Sequence, residues 1–189
     1  DHAAVVEYWG RLLPLLDPQV EKAAELANAV LADFAAAFPK RWLAGMREKL
    51  GLTGEEEGDI ELVQALLSLM QASEADYTLT FRRLSHAVEG DAEPFRGMFI
   101  DIAAADAWLA RWQERAGREE VSASERSRAM LAVNPAIIPR NHRIEELIEA
   151  AVEDGDFEPF HAMLAAIATP FEERPDNFVY MQPPMSDEK

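Results

Sequence analysis

Hydrophobic residues recur at helical spacing along most of the chain. The pair Asp17-Pro18 is typical of a helix N-cap followed by proline in the first turn, and Pro39 is expected to end the helix that begins there. The apolar positions of this helix form one stripe, made of Val20, Ala23, Ala24, Ala27, Val30, Leu31, Phe34 and Phe38. A shorter helix over residues 42–50 is expected to end at Gly51.

The middle of the chain predicts two more helices. Thr53 and Glu56 match a capping box, and Asp59 is a second candidate cap. The helix that follows has apolar residues around more than half of its surface, namely Ile60, Leu62, Val63, Leu66, Leu67, Leu69 and Met70. Segment 76–88 alternates like a strand but also has helical spacing that ends at Gly90. We prefer a helix, because the chain offers no second strand with which this segment could pair.

The C-terminal half begins with the pattern of one long amphipathic helix over residues 95–112. The apolar members of that pattern are Phe95, Met98, Phe99, Ile102, Trp108, Leu109 and Trp112. Ser122 and Glu125 then form a second capping box, before a helix that should end near Asn134 because a proline follows.

The last part of the chain predicts two short helices and a tail. Asn141 is a candidate cap for a helix over residues 143–153 that stops at Gly155, and Asp156 is a candidate cap for the next one. Residues 171–189 are expected to form an extended, proline-rich tail that lies on the body. These patterns together predict an all-α fold, an irregular single domain of about seven to nine helices spanning residues 1–189.

The composition indicates which classes of binding partner are not expected. The 189 residues include 18 Lys or Arg and 35 Asp or Glu, which gives a net charge of −17. Such a charge repels phosphate backbones and anionic lipids, so neither nucleic acid nor a membrane is an expected partner. The most obvious uncharged run, residues 62–73, is far shorter than the roughly 20 apolar residues that span a bilayer. The lack of cysteine excludes disulfides and thiolate chemistry and fits a reducing compartment, so we expect a cytoplasmic protein.

Searches for catalytic motifs find none: the sequence has no phosphate-binding glycine loop, G-x-S-x-G elbow, H-E-x-x-H motif or protein-kinase signature set. The acidic run over residues 55–59 could hold a hard cation, but it lacks the spacing of a calcium loop, and a solvated helix start is the favoured interpretation. No two of His2, His86, His142 and His161 are four residues apart, so a polar or capping role is favoured for each. We therefore predict no catalytic, cofactor-binding or metal-binding residue in this chain.

Three pairs of side chains remain as candidates for binding. Trp108 and Trp112 lie one helical turn apart and could form an aromatic platform, although a place in the core or under a partner is favoured. Arg82-Arg83 and Arg140-Asn141 stand out in an acidic chain and could bind a carboxylate or phosphate. A structural ion pair is favoured for them, because carboxylates are abundant. In particular, we expect Arg140 to meet a carboxylate or backbone carbonyls.

Three stretches resemble sequence blocks of the selenoprotein O family, also called SelO or YdiU. Residues 42–52, W-L-A-G-M-R-E-K-L-G-L, are similar to its W-L-x-x-M-R-x-K-L-G-L block, and residues 75–84, A-D-Y-T-L-T-F-R-R-L, to its A-D-Y-T-x-T-F-R-x-L block. Residues 134–142, N-P-A-I-I-P-R-N-H, followed by G-D-F at 155–157, resemble a third. The blocks occur in the family's order, and the resemblance extends from about residue 12 to 184.

This resemblance implies a kinase-like fold for the complete protein, which would transfer AMP from ATP to Ser, Thr or Tyr hydroxyls of proteins with Mg or Mn as cofactor. The family's nucleotide-binding lysine, metal-binding Asp and Asn and catalytic Asp lie upstream of these blocks, and no residue here matches them. The cysteine or selenocysteine of the family's C-terminal end is also missing. The chain is therefore expected to be the C-terminal helical part, cut from the core near residues 1–10, with the missing kinase-like core and the parent's protein substrates as partners. Alone, it is expected neither to bind ATP tightly nor to transfer AMP.

Two other functions fit the residues less well. One is a freestanding acidic helical module for protein interaction, without an enzymatic role. The other is a helical metal-dependent hydrolase built from His86, His142, His161 and carboxylates.

A domain cut from its core should also expose an apolar face, and such a face can drive weak homodimer formation. The helices that carry Leu62–Met70 and Trp108–Trp112 are the ones expected to expose it.

Overall fold

The computed structural model describes residues 20–184, with side chains from residue 28. The chain divides into two compact units, residues 1–45 and 46–189. The described residues form nine α-helices and no strand, which confirms the predicted all-α class. The predictions for Asp17-Pro18 and for residues 1–10 lie outside the described residues. That the chain is one domain and the C-terminal part of a longer protein stays a prediction.

The first helix, α1 (Val20–Lys49), continues through Pro39, so the predicted end at this proline and the separate helix over residues 42–50 are both wrong. Proline removes one helical hydrogen bond, but the helix formers Ala, Lys and Arg flank this one on both sides and sustain the helix. In the first unit, the rings of Phe34 and Phe38 lie one turn apart, with centroids 5.5 Å from each other. The end at Gly51 is confirmed, since α1 stops two residues earlier and this glycine has the left-handed φ of 66°.

Five helices follow, α2 (Asp59–Ala72), α3 (Tyr77–Ala87), α4 (Glu93–Arg96), α5 (Ile102–Ala116) and α6 (Ala123–Val133). Segment 76–88 is thus helical, as preferred. The capping box of Ser122 and Glu125 is confirmed, with both of its hydrogen bonds formed. The predicted helix over residues 95–112 is wrong, because the Asp101 carboxylate accepts a hydrogen bond from the amide of Ala104 and starts a new helix.

Both predicted caps of α2 are also wrong. The N-cap of α2 is Gly58, in the left-handed conformation with φ 96°, and no side chain caps this helix. Asp59 is the first helical residue, and its carboxylate turns away to accept hydrogen bonds from Arg47 and Arg115. Asp59 therefore forms ion pairs with distant arginines and does not cap α2, and the local sequence does not show these partners.

The C-terminal part contains α7 (Asn141–Glu149), a π-helical turn (Ala150–Asp154), α8 (Glu158–Ile167), a 3-10 turn (Pro175–Asn177) and α9 (Phe178–Met181). The 3-10 turn and α9 lie within the tail over residues 171–189, so this tail is not extended throughout, contrary to the prediction.

The predicted caps of α7 and α8 take other roles. Asn141 caps nothing: the N-cap position of α7 is Arg140, no side chain caps that helix, and Asn141 is an exposed first residue. Asp156 does accept a hydrogen bond from the amide of Glu158, although the N-cap position of α8 belongs to Phe157.

The core of the second unit includes both tryptophans of α5. Trp108 and Trp112 are each 2% exposed, and their rings stack with centroids 6.2 Å apart. Their indole N–H groups donate to the carbonyls of Leu62 and Leu50, at 2.9 and 3.0 Å. The favoured interpretation as core is confirmed. Leu62, Val63, Leu66 and Met70 of α2 are buried as well, so these side chains do not form the exposed apolar face that was expected. The weak homodimer stays a prediction.

Candidate functional site

Asp59 lies at the centre of a buried group of charges. Its side chain is 1% exposed, and it accepts hydrogen bonds from the Nε atoms of Arg47 at 2.6 Å and Arg115 at 2.7 Å. Burial acts to raise the pKa of this carboxyl, but the hydrogen bonds from Arg115, the amide of Glu56 and Arg47 outweigh burial and lower it. Asp59 is therefore a buried structural anion. The interpretation of residues 55–59 as a solvated helix start is wrong for this residue.

Glu119 extends the same group toward the loop after α1. Its carboxylate accepts hydrogen bonds from the amides of Thr53 and Gly54, at 3.0 and 2.9 Å, and from Arg115 and Arg126, at 2.9 and 3.0 Å. Burial opposes the charge, but these hydrogen bonds hold the pKa of Glu119 down to about 2. Glu119 thus ties the loop to the end of α5 and to α6.

Arg82 joins three segments of the second unit. It pairs with Glu173 of the tail and donates to the carbonyls of Leu131, Asn134 and Phe171, at 3.0, 2.9 and 3.0 Å. His86 lies 2.8 Å from the same Glu173 carboxylate. The structural interpretation of this arginine is confirmed.

Arg140 forms a two-pronged pair with Asp76, with nitrogen-to-oxygen distances of 2.6 and 3.2 Å, and donates to the carbonyl of Met181 at 3.3 Å. The expected carboxylate and carbonyl are both present. Asp76 also caps α3 by accepting from the amide of Leu79. Burial acts to raise the pKa of Asp76, but Arg140 and this amide lower it. The Nε of Arg140 and the Nε2 of His142 are buried without a hydrogen-bond partner.

An open apolar cleft lies between α7 and α8, and we call it the α7–α8 cleft. It has a volume of about 330 Å³. Its lining residues are Ile144, Leu147, Ile148, Ala151, Phe157, Phe160, Met163, Leu164 and Ile167. Sequence reasoning missed this cleft, although residues 144, 147, 148 and 151 have the i, i+3, i+4, i+7 spacing that indicates an apolar helix face.

These features separate into two kinds of chemistry. The buried arginines bind carboxylates and backbone carbonyls of this chain, whereas the α7–α8 cleft is an open apolar surface. The described residues contain no group of three or more His, Asp or Glu that could hold a metal ion, and His86, His142 and His161 are not brought together in one. Nor is any described helix long and apolar enough to cross a bilayer.

Comparisons with known proteins agree with the sequence blocks. The family model for protein adenylyltransferase SelO matches residues 11–168. A protein nucleotidyltransferase YdiU of Agrobacterium fabrum is 86% identical over 178 residues, which cover 94% of this chain and 37% of that relative. Proteins of the same name from Rhizobium leguminosarum bv. trifolii and Bradyrhizobium sp. are 54% and 48% identical, and 36% of each is covered. This chain, which spans little more than a third of the length of these relatives, belongs to the SelO family of protein adenylyltransferases.

Proposed function

We propose that this chain is the C-terminal helical region of a longer SelO-like protein adenylyltransferase, and that it stabilises the catalytic part without supplying a reacting group. The complete protein would transfer AMP from ATP to Ser, Thr or Tyr hydroxyls of protein substrates, with Mg or Mn bound outside this chain. Two observations support the proposal: relatives called protein nucleotidyltransferase are far longer than the matched segment, and the family's sequence blocks lie in order along it.

The hydrogen bonds of the buried arginines support the part of the proposal that gives this chain a structural role and no reacting group. Transfer from ATP needs cations placed around the phosphates, with a metal ion among them. Four buried arginines, Arg82, Arg115, Arg126 and Arg140, already bind carboxylates and backbone carbonyls of this chain. A phosphate could reach one of them only by leaving a buried carboxylate or carbonyl without its partner, which is costly.

The test compares three proteins in an assay with ATP labelled at the α-phosphate and with Mg or Mn present. We expect the full-length polypeptide to label protein and this chain alone to label none. We expect the polypeptide without this chain to lose both thermal stability and transfer. Transfer by this chain alone would show that it contains the catalytic groups. Full stability and activity of the shortened polypeptide would show that it has no supporting role.

A freestanding interaction module is the second candidate, because the open α7–α8 cleft is a surface of the kind that partners cover. The coding sequence upstream of Asp1 distinguishes the two. A continuous reading frame with kinase-like motifs supports the first function, and a start codon directly before Asp1 supports the second.

A further inference from the structure

The α7–α8 cleft is apolar throughout and partly open. No polar side chain is among its lining residues, and Phe160 and Leu164 are 49% and 51% exposed. Large exposed apolar surfaces of this kind mark interfaces rather than free surface. Its composition resembles the apolar centre of a permanent interface, since transient interfaces are about as polar as ordinary protein surface.

The shape of the cleft suits a helix. Its walls are α7 and α8, joined by the π-helical turn and by Gly155 with φ 66°. A groove between two helices accepts the apolar face of a third, whose side chains at i, i+3, i+4 and i+7 fill it.

The charges of the same elements select the partner. Residues 141–168 contain seven carboxylates and one arginine. That arginine, Arg143, is already paired with Glu146 at 2.7 Å. Glu145, Glu149 and Glu153 are exposed. A second copy of this chain would bring like charges together, whereas a helix with flanking lysines or arginines would find complementary ones.

We propose that the α7–α8 cleft binds an amphipathic helix whose apolar face is flanked by Lys or Arg, and that this helix belongs to the part of the longer polypeptide outside residues 1–189. The inference rests on the proposed function for the source of the helix. The length supports that source, because the segment that matches this chain makes up only 37% of the relative from Agrobacterium fabrum. The apolar lining and the acidic surroundings support the chemistry of the helix independently.

The source is tested by site-specific photo-crosslinking in the full-length polypeptide. A photoreactive phenylalanine replaces Leu164 in the cleft and, as the control, Ile100, which is 81% exposed and lies outside the cleft. We expect the probe at 164 to cross-link within the polypeptide to a basic helical peptide outside residues 1–189, and the control to give no such product. A cross-link to a second copy or to another protein, or no cross-link at all, would overturn the proposed source.

The chemistry is tested on this chain with two model helices of about 18 residues, or five turns, one of Leu and Lys and one of Leu and Glu. We expect the Leu–Lys helix to bind at least about tenfold more tightly, and its affinity to fall as salt is added. Leu164→Lys should weaken its binding about tenfold, and the control Ile100→Lys should not. Equal binding of both peptides, or no effect of Leu164→Lys, would refute the chemistry.

Neither experiment measures AMP transfer, so their failure would leave the proposed function standing. Failure of the transfer assay, in turn, would leave the affinity of the cleft for basic helices measurable.

Discussion

Replacing Glu119 with Gln should destabilise the second unit in a way that depends on pH. The neutral amide keeps the shape of the side chain but loses the charge that two amides and two arginines now share. The folded pKa of about 2 against an ordinary value of 4.5 corresponds to about 3 kcal/mol, at about 1.4 kcal/mol for each pKa unit. Because part of the site is screened by solvent, we expect a loss of about 2–3 kcal/mol at pH 7.

The sign of the pH dependence follows from the lowered pKa. The contribution of Glu119 is complete above pH 4.5 and is lost as the pH falls toward 2, because the unfolded chain takes up the proton first. Urea unfolding followed by tryptophan fluorescence should therefore show a lower free energy of unfolding for Glu119→Gln than for the native chain at pH 7. This difference should disappear as the pH falls toward 2. Glu120→Gln, the same change at the exposed neighbouring residue, should have little effect. A difference in the free energy of unfolding below about 0.5 kcal/mol at pH 7, or a difference that does not change with pH, would refute the reasoning.

Two further pairs of substitutions test the structural assignments by thermal unfolding. Arg140→Ala should lower the free energy of unfolding by about 2–4 kcal/mol, because it leaves a partly buried carboxylate without its partner. Asn141→Ala should change it by less than about 0.5 kcal/mol. Equal effects of the two substitutions would contradict this assignment. Gly51→Ala should lower the free energy of unfolding by about 1–3 kcal/mol more than Gly155→Ala does. Both glycines have φ 66°, but only at Gly51 would the new methyl group lie 2.7 Å from side-chain atoms of Met130. Equal losses would mean that the Met130 side chain moves away freely.

Local signals in the sequence predicted what local interactions decide. The capping box of Ser122 and Glu125 formed because both of its hydrogen bonds lie within four residues. The glycine that follows α1 adopted the left-handed conformation for the same kind of reason. The helical spacing of Trp108 and Trp112 correctly indicated a core face.

Predictions failed where distant residues compete. Asp59 is the clearest case, because two arginines 12 and 56 residues away bind the carboxylate that was expected to cap α2. Two of the four hydrogen-bond partners of Glu119, the amides of Thr53 and Gly54, lie 66 and 65 residues away along the chain, so its lowered pKa could not be predicted.

The cleft was missed for a different reason. Its helical spacing on α7 was visible, but whether an apolar face is covered depends on how helices pack. The place of Arg140 was predicted correctly because two prolines stiffen the loop before it and carboxylates are abundant.

The central claim is that the buried arginines support the fold and do not bind nucleotide. The most direct measurement is the KM for ATP of the full-length polypeptide carrying Arg140→Ala, determined below its melting temperature and compared with Asn141→Ala. We predict a lower melting temperature with a KM for ATP within about twofold of the native value, because this arginine binds Asp76 and a backbone carbonyl. A KM raised about tenfold with an unchanged melting temperature would contradict the account and assign Arg140 to the nucleotide.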